Sequence, residues 1–196
     1  YLKSHVSEQC ANYYVGQTQN FWANLFSGER ENDYKLDGIS NQKVPYTILS
    51  VKNKTGISFS ELQYVVEIND KTYEGILQES PYDDSFEADL KIFVEPKTEV
   101  FVYLKFNDIT EVANMECVFE KFSISFDTAL DIATDELISK KPDLSLDREY
   151  ECFVQILNKD PSLNTYYWLI NVVSSNGEVF SVIVDVTTGE VLAKKL

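Results

Sequence analysis

The sequence predicts an α+β protein in three parts: an N-terminal helix, an antiparallel β-sandwich, and a C-terminal domain that joins one helix to an antiparallel sheet. Near the N-terminus apolar residues recur every three or four positions, and short β-rich runs then extend to residue 125. A helical period returns after residue 125 and precedes a last set of strands. The predicted parts are residues 1–33, a helix docked on the sandwich; residues 34–125, the sandwich; and residues 126–196, the α+β domain.

The N-terminal helix is predicted from a stripe between residues 4 and 27. Its members lie three or four positions apart, and Gly28 is a suitable stop. Because Phe21, Trp22 and Phe26 crowd the last turns, we expect that end to dock on another element. The stripe consists of Val6, Cys10, Tyr13, Gln17, Phe21 and Leu25.

Six β-rich runs predict an antiparallel, immunoglobulin-like sandwich. The clearest hairpin pairs residues 88–94 with residues 100–106 across a turn in which Pro96 suits the first central position. A second hairpin turns at Asn69-Asp70, residue types that tolerate left-handed backbone. The six runs are residues 44–51, 62–68, 71–77, 86–94, 99–106 and 115–124.

The C-terminal part begins with a predicted helix over residues 126–140. Phe126, Leu130, Ala133, Leu137 and Ile138 share one face, and Lys140-Lys141-Pro142 marks the end, since lysines complement the helix dipole and proline cannot continue the helix. An antiparallel meander follows, with strands predicted at residues 149–157, 165–174, 178–186 and 190–194.

Composition limits the classes of function. The net charge of −15 repels phosphate backbones, so we expect no nucleic-acid partner. No window approaches the ~20 apolar residues of a transmembrane segment. Cys10, Cys117 and Cys152 are too few for a disulfide framework; we expect small buried side chains, with one disulfide among them left open.

The residues indicate no catalytic, metal or cofactor site. His5 is the only histidine and is expected to lie exposed at a frayed chain end. The seven glycines form neither a dinucleotide-binding nor a P-loop pattern. The acidic run at residues 79–89 fails the EF-hand template, so a polar loop is favoured over a calcium site.

One resemblance to a known family limits the functions that this chain is expected to have. The stretch Val184-Asp185-Val186-Thr187-Thr188-Gly189-Glu190-Val191-Leu192, preceded by the strand Tyr166 to Val173, resembles the end of the PepSY domain. The similarity covers residues 126–196 and implies a cystatin-like arrangement of one helix on an antiparallel sheet. The segment 143–147 lacks the Gly-containing strand of many members, which leaves the strand count open.

The resemblance implies a bacterial extracytoplasmic protein, secreted or lipid-anchored, because such domains occur in propeptides of thermolysin-like metalloproteases and in cell-surface proteins. It implies a secreted peptidase or a cell-wall component as partner, and no cofactor. We expect an export signal, with or without a lipid-attachment cysteine, to be encoded before Tyr1.

The favoured function is that of a non-enzymatic binding or regulatory protein; the alternative is a carboxylate-only hydrolase acting on cell-surface glycan, which requires a pocket with two carboxylates of unequal pKa. Contact with the partner is expected at the last hairpin, residues 178–194. The candidate binding residues are Tyr166, Trp168, Phe180, Asp185 and Gly189. For Trp168 the alternation with Tyr166, Ile170 and Val172 leaves open, and favours, a core side chain that covers the helix.

Overall fold

The computed structural model describes residues 2–33, 35, 37–145 and 150–195. Within these ranges the fold is mixed, with thirteen mostly antiparallel strands and one α-helix, α1 (Phe126–Lys140). The strands are β1 (Val6–Gln17), β2 (Phe21–Glu31), β3 (Lys43–Asn53), β4 (Gln63–Ile68), β5 (Lys71–Ile76), β6 (Gln78–Glu79), β7 (Ser85–Asp89), β8 (Val100–Phe106), β9 (Ile109–Cys117), β10 (Tyr150–Leu157), β11 (Tyr167–Ser174), β12 (Val179–Asp185) and β13 (Val191–Lys195).

The N-terminal helix prediction is wrong. Residues Leu2–His5 form a short 3-10 turn, and the predicted stripe falls on β1 and β2. Both faces of β1 are largely buried, so its apolar side chains are not confined to alternate positions, and Val6, Cys10 and Tyr13 fall at helical spacing. The polar run at residues 17–20 marks the turn, where the Thr18 hydroxyl accepts from the Phe21 amide at 3.0 Å.

The chain forms two compact units. One comprises Ala11–Gly28 and Pro45–Glu120, and its core is a continuous apolar cluster that includes Phe21, Leu49, Val66 and Leu104. In it β5, β4, β8 and β9 form an antiparallel sheet, while β7 pairs with β3. The predicted hairpin at Asn69-Asp70 is present, because β4 and β5 pair there and Asn69 has φ 53°. The immunoglobulin-like topology and the predicted domain limits stay predictions.

The predicted hairpin between residues 88–94 and 100–106 is wrong. Strand β7 ends at Asp89, and β8 pairs with β4 and β9 instead. After Asp89 the Leu90 amide still donates to the Thr47 carbonyl of β3 at 2.8 Å, and buried hydroxyls then bond to the main chain: Thr47 donates to the Ile92 carbonyl at 2.7 Å, and Ser27 accepts from the Val94 amide at 2.8 Å. These partners lie far away in sequence, so alternation alone could not indicate them.

The last predicted strand of this region is displaced. Strand β9 ends at Cys117, whereas the prediction placed it at residues 115–124. A tight hairpin precedes it, since Asn107 and Asp108 have φ values of 47° and 61° and join β8 to β9. Two successive positive φ angles are typical of the primed turns that connect two-residue hairpins.

The second unit comprises Tyr1–Cys10, Glu29–Val44 and Lys121–Leu196. Here α1 begins and ends at the predicted residues, and β10, β11, β12 and β13 form an antiparallel meander in that order. Strand β1 pairs with β10 in parallel, through Val6 opposite Cys152 and Gln9 opposite Val154. The four predicted C-terminal strands therefore all exist, each shifted by only a residue or two.

Two further expectations concern His5 and the three cysteines. His5 does not lie at a frayed end: its ring is 4.3 Å from that of Tyr150, so packing holds it partly buried. The three cysteines are free thiols, and burial raises the pKa of Cys152 to about 12. No helix in the described part of the chain is long and apolar enough to span a membrane.

Candidate binding surface of the C-terminal unit

Helix α1 is fixed at both ends by local chemistry. The Ser125 hydroxyl accepts from the Thr128 amide at 3.2 Å, which satisfies one of the free N–H groups of the first turn. At the other end the Lys141 amide donates to the Leu137 carbonyl at 2.7 Å, and Pro142 follows. The buried face of the helix consists of Ala129, Leu130, Ala133 and Leu137.

The sheet presents alternate side chains to this helix. Trp168 lies opposite Val184, and Ile170 lies opposite Val182; all four are fully buried. The Trp168 indole donates to the Ile124 carbonyl at 2.9 Å, so its one polar atom has a partner inside the core. The side chains at these alternate positions, which we call the core phase of the sheet, therefore form the core of the unit.

The structure separates the five predicted binding residues into two groups. Tyr166, Trp168 and Phe180 are buried, with 7%, 0% and 6% of their surfaces exposed. Asp185 and Gly189 lie in the turn between β12 and β13. The burial of Trp168 agrees with the core interpretation that the sequence left open. A direct binding role for any of the five stays a prediction.

The turn between β12 and β13 depends on Asp185 and Gly189. The Asp185 carboxylate accepts from the amides of Thr187 and Thr188 at 2.7 and 2.9 Å, and the Gly189 amide donates to the Asp185 carbonyl at 3.0 Å. Gly189 has φ 75°, and a side-chain carbon there would lie 3.1 Å from Ile124 Cδ1. The turn therefore explains why an aspartate and a glycine occupy positions 185 and 189 of the quoted motif.

Strand β13 forms an edge of the sheet. It pairs with β12 on one side, and no other strand of the described residues pairs with it. Its side chains are largely exposed, including Leu192, of which 47% is accessible. Lys194 donates to the Glu136 carboxylate of α1 at 2.7 Å, which places Lys194 on the helix side of the strand. The outer edge thus leaves main-chain donors and acceptors unused by the sheet.

The opposite face of the sheet, which we call the outer face, was not singled out by the sequence analysis. Tyr167, Leu169, Ile183 and Ala193 are out of phase with Trp168 and Lys194, so they point away from the helix. Leu169 lies opposite Ile183, which lies opposite Ala193; the first two are half-buried and Ala193 is exposed. The residues between the core-facing positions of a strand point to the opposite face, so the alternation that predicted the core phase also indicates the outer face.

Two lysine side chains connect the hairpin with helix α1 and the residue that follows it. Besides the bond between Lys194 and Glu136, the Lys141 ammonium lies 5.5 Å from the centre of the Phe180 ring. That distance is within the range of a cation–π contact, which helps to hold the end of α1 over β12. The helix and the hairpin are therefore connected through side chains at two places.

Acidic residues elsewhere are committed to ordinary contacts. In the predicted polar loop, Asp83 accepts from the Ser85 amide at 2.9 Å, and Lys52 lies 3.5 Å from Asp84. The hydrogen bond from the Ser85 hydroxyl is the main reason why the pKa of Asp83 is lowered. Among the described residues no group of three or more His, Cys, Asp or Glu side chains is placed to hold a metal ion.

A shallow cleft of about 520 Å³ lies in the other unit, over the ends of β4, β8 and β9. Its lining is mainly polar and includes Glu61, Gln63, Lys105 and Asp108. Glu61 accepts from the Gln63 amide nitrogen at 2.5 Å, so this carboxylate is used within the loop. The cleft contains two carboxylates, those of Glu61 and Asp108.

Comparison with known proteins gives one positive result. Residues 123–195 match the family model PepSY, described as peptidase propeptide and YPEB domain. No curated protein and no solved structure matches the chain. The matched residues coincide with the segment from Ile124 through α1 and the four-stranded meander that ends in β13. The C-terminal third of this chain is therefore a PepSY domain.

Proposed function

We propose that the chain is a non-enzymatic, extracytoplasmic regulatory protein whose PepSY domain modulates a secreted peptidase through its last hairpin. The observation that carries the proposal is the edge strand β13 of a domain whose family is associated with peptidase propeptides. An open edge can accept an extended peptide segment by main-chain hydrogen bonds, while alternate side chains select the sequence.

The side chains of β13 suit this role. Leu192 offers exposed apolar surface, and Lys195 places positive charge at the end of a strand in a chain of net charge −15, whereas the Lys194 charge is paired with Glu136. Lysines on an edge strand also oppose pairing between two copies of the same edge. The edge is thus suited to a partner with a neutral or acidic extended segment rather than to self-association.

An extracytoplasmic location follows the same reasoning. PepSY domains occur in extracytoplasmic proteins, and a secreted peptidase would be met there. A cell-wall component remains the second partner that the family suggests.

The experiment uses the full chain, because β1 pairs with β10 and a fragment of residues 126–196 would lack that strand. Purified secreted peptidases, including a thermolysin-type metallopeptidase, are titrated with the chain, and residual activity and complex formation are measured. We expect inhibition of at least one peptidase at micromolar concentrations. A parallel sedimentation assay with purified cell-wall sacculi measures the alternative partner.

The matched variants are Leu192→Glu and Ile109→Glu. The two side chains are 47% and 44% exposed, so both changes place the same charge at a similar surface position, one on β13 and one in the other unit. We expect L192E to weaken peptidase inhibition about tenfold or more and I109E to leave it unchanged, as one disrupted interface contact of 1–2 kcal/mol implies. Absence of binding to every peptidase, or equal effects of the two variants, would contradict the proposal.

A further inference from the structure

A buried pair of carboxylates joins three elements of the C-terminal unit. Ser7 on β1 lies between Glu31, the last residue of β2, and Glu151 on β10. The Ser7 Oγ atom is 3.1 Å from Glu31 Oε1 and 2.9 Å from Glu151 Oε2. Ser7 and Glu151 are fully buried, and only 2% of Glu31 is exposed.

The Ser7 hydroxyl cannot donate a hydrogen bond to both carboxylates at once. A serine hydroxyl has one proton and can donate to only one acceptor at a time, although its oxygen can accept as well. If one glutamate is protonated, it donates to Ser7 Oγ, and Ser7 donates to the other glutamate. This chain of two hydrogen bonds uses each short distance, whereas with two ionised carboxylates the single Ser7 proton serves one of them and the other faces the lone pairs of the hydroxyl oxygen.

The remaining carboxylate oxygens point to the same conclusion. Glu31 Oε2 and Glu151 Oε1 are buried and have no hydrogen-bond partner among the described residues. An ionised carboxylate that is buried and incompletely bonded is costly, and two of them so close repel each other. A single proton held by the pair removes both the repulsion and one of the buried charges.

The groups around the two carboxylates offset only part of the cost of burying two negative charges. The Asn41 amide donates to Glu31 Oε1, and the main chain of Gly38 bonds to Glu151, while the nearby Asp37 carboxylate adds negative charge. Burial is the main cause that raises the pKa of Glu151; the Ser7 hydrogen bond opposes the rise and the Glu31 charge adds to it.

Other charged residues of the same elements are engaged elsewhere. Lys43 on β3 donates its ammonium to the Val6 carbonyl at 3.0 Å, and Glu8 on β1 accepts from Gln155 at 3.3 Å. His5 packs its ring on Tyr150, and Arg30 precedes Glu31 on β2, so strand alternation directs it to the other side.

We propose that Glu31, Ser7 and Glu151 form a shared-proton link that attaches β10 of the PepSY domain to β1 and β2 in a pH-dependent manner. The proton is present at acidic pH and leaves as the pH rises. Its loss puts two adjacent negative charges in a buried site with one hydroxyl proton between them, so the contact of β1 and β2 with β10 weakens.

The sign of the pH dependence follows from linkage. The pKa of Glu151 is raised in the folded chain above its ordinary value of 4.5. Its contribution to stability is therefore complete below that ordinary value and is lost as the pH rises through the folded-state pKa. We expect the C-terminal unit to be more resistant to urea at about pH 5 than at about pH 8.

The test compares two variants with the same change in charge, Glu151→Gln in the cluster and Glu190→Gln at an exposed turn position. Both carry Trp22→Phe, so that the remaining tryptophan, the buried Trp168, reports unfolding of this unit. Glutamine reproduces the shape and the hydrogen-bond donor of a protonated glutamate. We expect E151Q to abolish most of the shift in urea midpoint between the two pH values and E190Q to retain it.

A second measurement does not depend on the variant folding. Infrared spectra of the chain with ¹³C-labelled glutamate report the carbonyl stretch of protonated carboxyl groups. We expect one such buried carboxyl at about pH 5 in the wild-type chain, which loses its proton as the pH rises and the unit loses stability, and none at this site in E151Q or Glu31→Gln. A parallel pH dependence of wild type, E151Q and E190Q, or the absence of the carboxyl band at about pH 5–6, would overturn the proposal.

Discussion

Gly189 shows how a single backbone angle determines the last hairpin. Its φ of 75° lies in the left-handed region, and its missing side chain leaves room for Ile124. Gly177, in the preceding turn, has a similar φ of 83°, but a side-chain carbon there would meet no atom within 4 Å. The two glycines therefore share the conformational requirement and differ in steric surroundings.

This difference gives a prediction at the residue scale. Gly177→Ala should lower the free energy of unfolding by about 1 kcal/mol, the usual cost of a left-handed alanine. Gly189→Ala should cost about 2–3 kcal/mol, because Ile124 must also move. Urea unfolding followed through Trp168 in the Trp22→Phe background measures both. Equal losses for the two variants would show that the contact with Ile124 does not matter.

Single residues also show which parts of the candidate site the sequence could indicate. The Asp185 turn and the buried phase of β11 follow from local spacing, and both are present. The outer face follows from the same alternation but carries no distinctive residue type. The cluster of Glu31, Ser7 and Glu151 joins positions 24 and 144 residues apart, so only the folded chain brings it together.

At the scale of elements, α1 depends on its first turn. The Ser125 hydroxyl is the N-cap acceptor for the Thr128 amide, while Ser139 near the other end donates its hydroxyl to the Glu136 carbonyl. Ser125→Ala should destabilise the unit by about 1 kcal/mol, and the control Ser139→Ala should change stability little. Circular dichroism during urea unfolding measures the difference. A loss in S139A as large as that in S125A would contradict the capping role.

The elements also differ in how far the sequence could predict them. Helix α1 has one buried face, so its period is unambiguous and its bounds were predicted. Strand β1 is buried on both faces, and a stripe of apolar residues at helical spacing could be drawn through it. The segment after β7 alternates like a strand, yet the buried hydroxyls of Ser27 and Thr47 bond to its main chain. In both failures a tertiary contact overrides the local pattern.

At the scale of the whole molecule, the charge distribution affects which partners can bind at β13. A net charge of −15 disfavours association between copies of the chain, and Lys195 is a local exception on an edge strand, since the Lys194 charge is paired with Glu136. An extended segment of a partner could pair there without disturbing the core phase that contains Trp168. The family model that matches residues 123–195, PepSY, is described as peptidase propeptide and YPEB domain.

Hydrogen–deuterium exchange of the full chain, with and without a secreted peptidase that it inhibits, tests this central claim most directly. If the peptidase adds a strand to β13, amides within Val191–Lys195 should become strongly protected, because their free groups gain main-chain partners. Amides of β5, at the edge of the other sheet, should exchange unchanged. Unaltered exchange in β13 at saturating peptidase, with protection elsewhere, would contradict the assignment of this edge as the binding site.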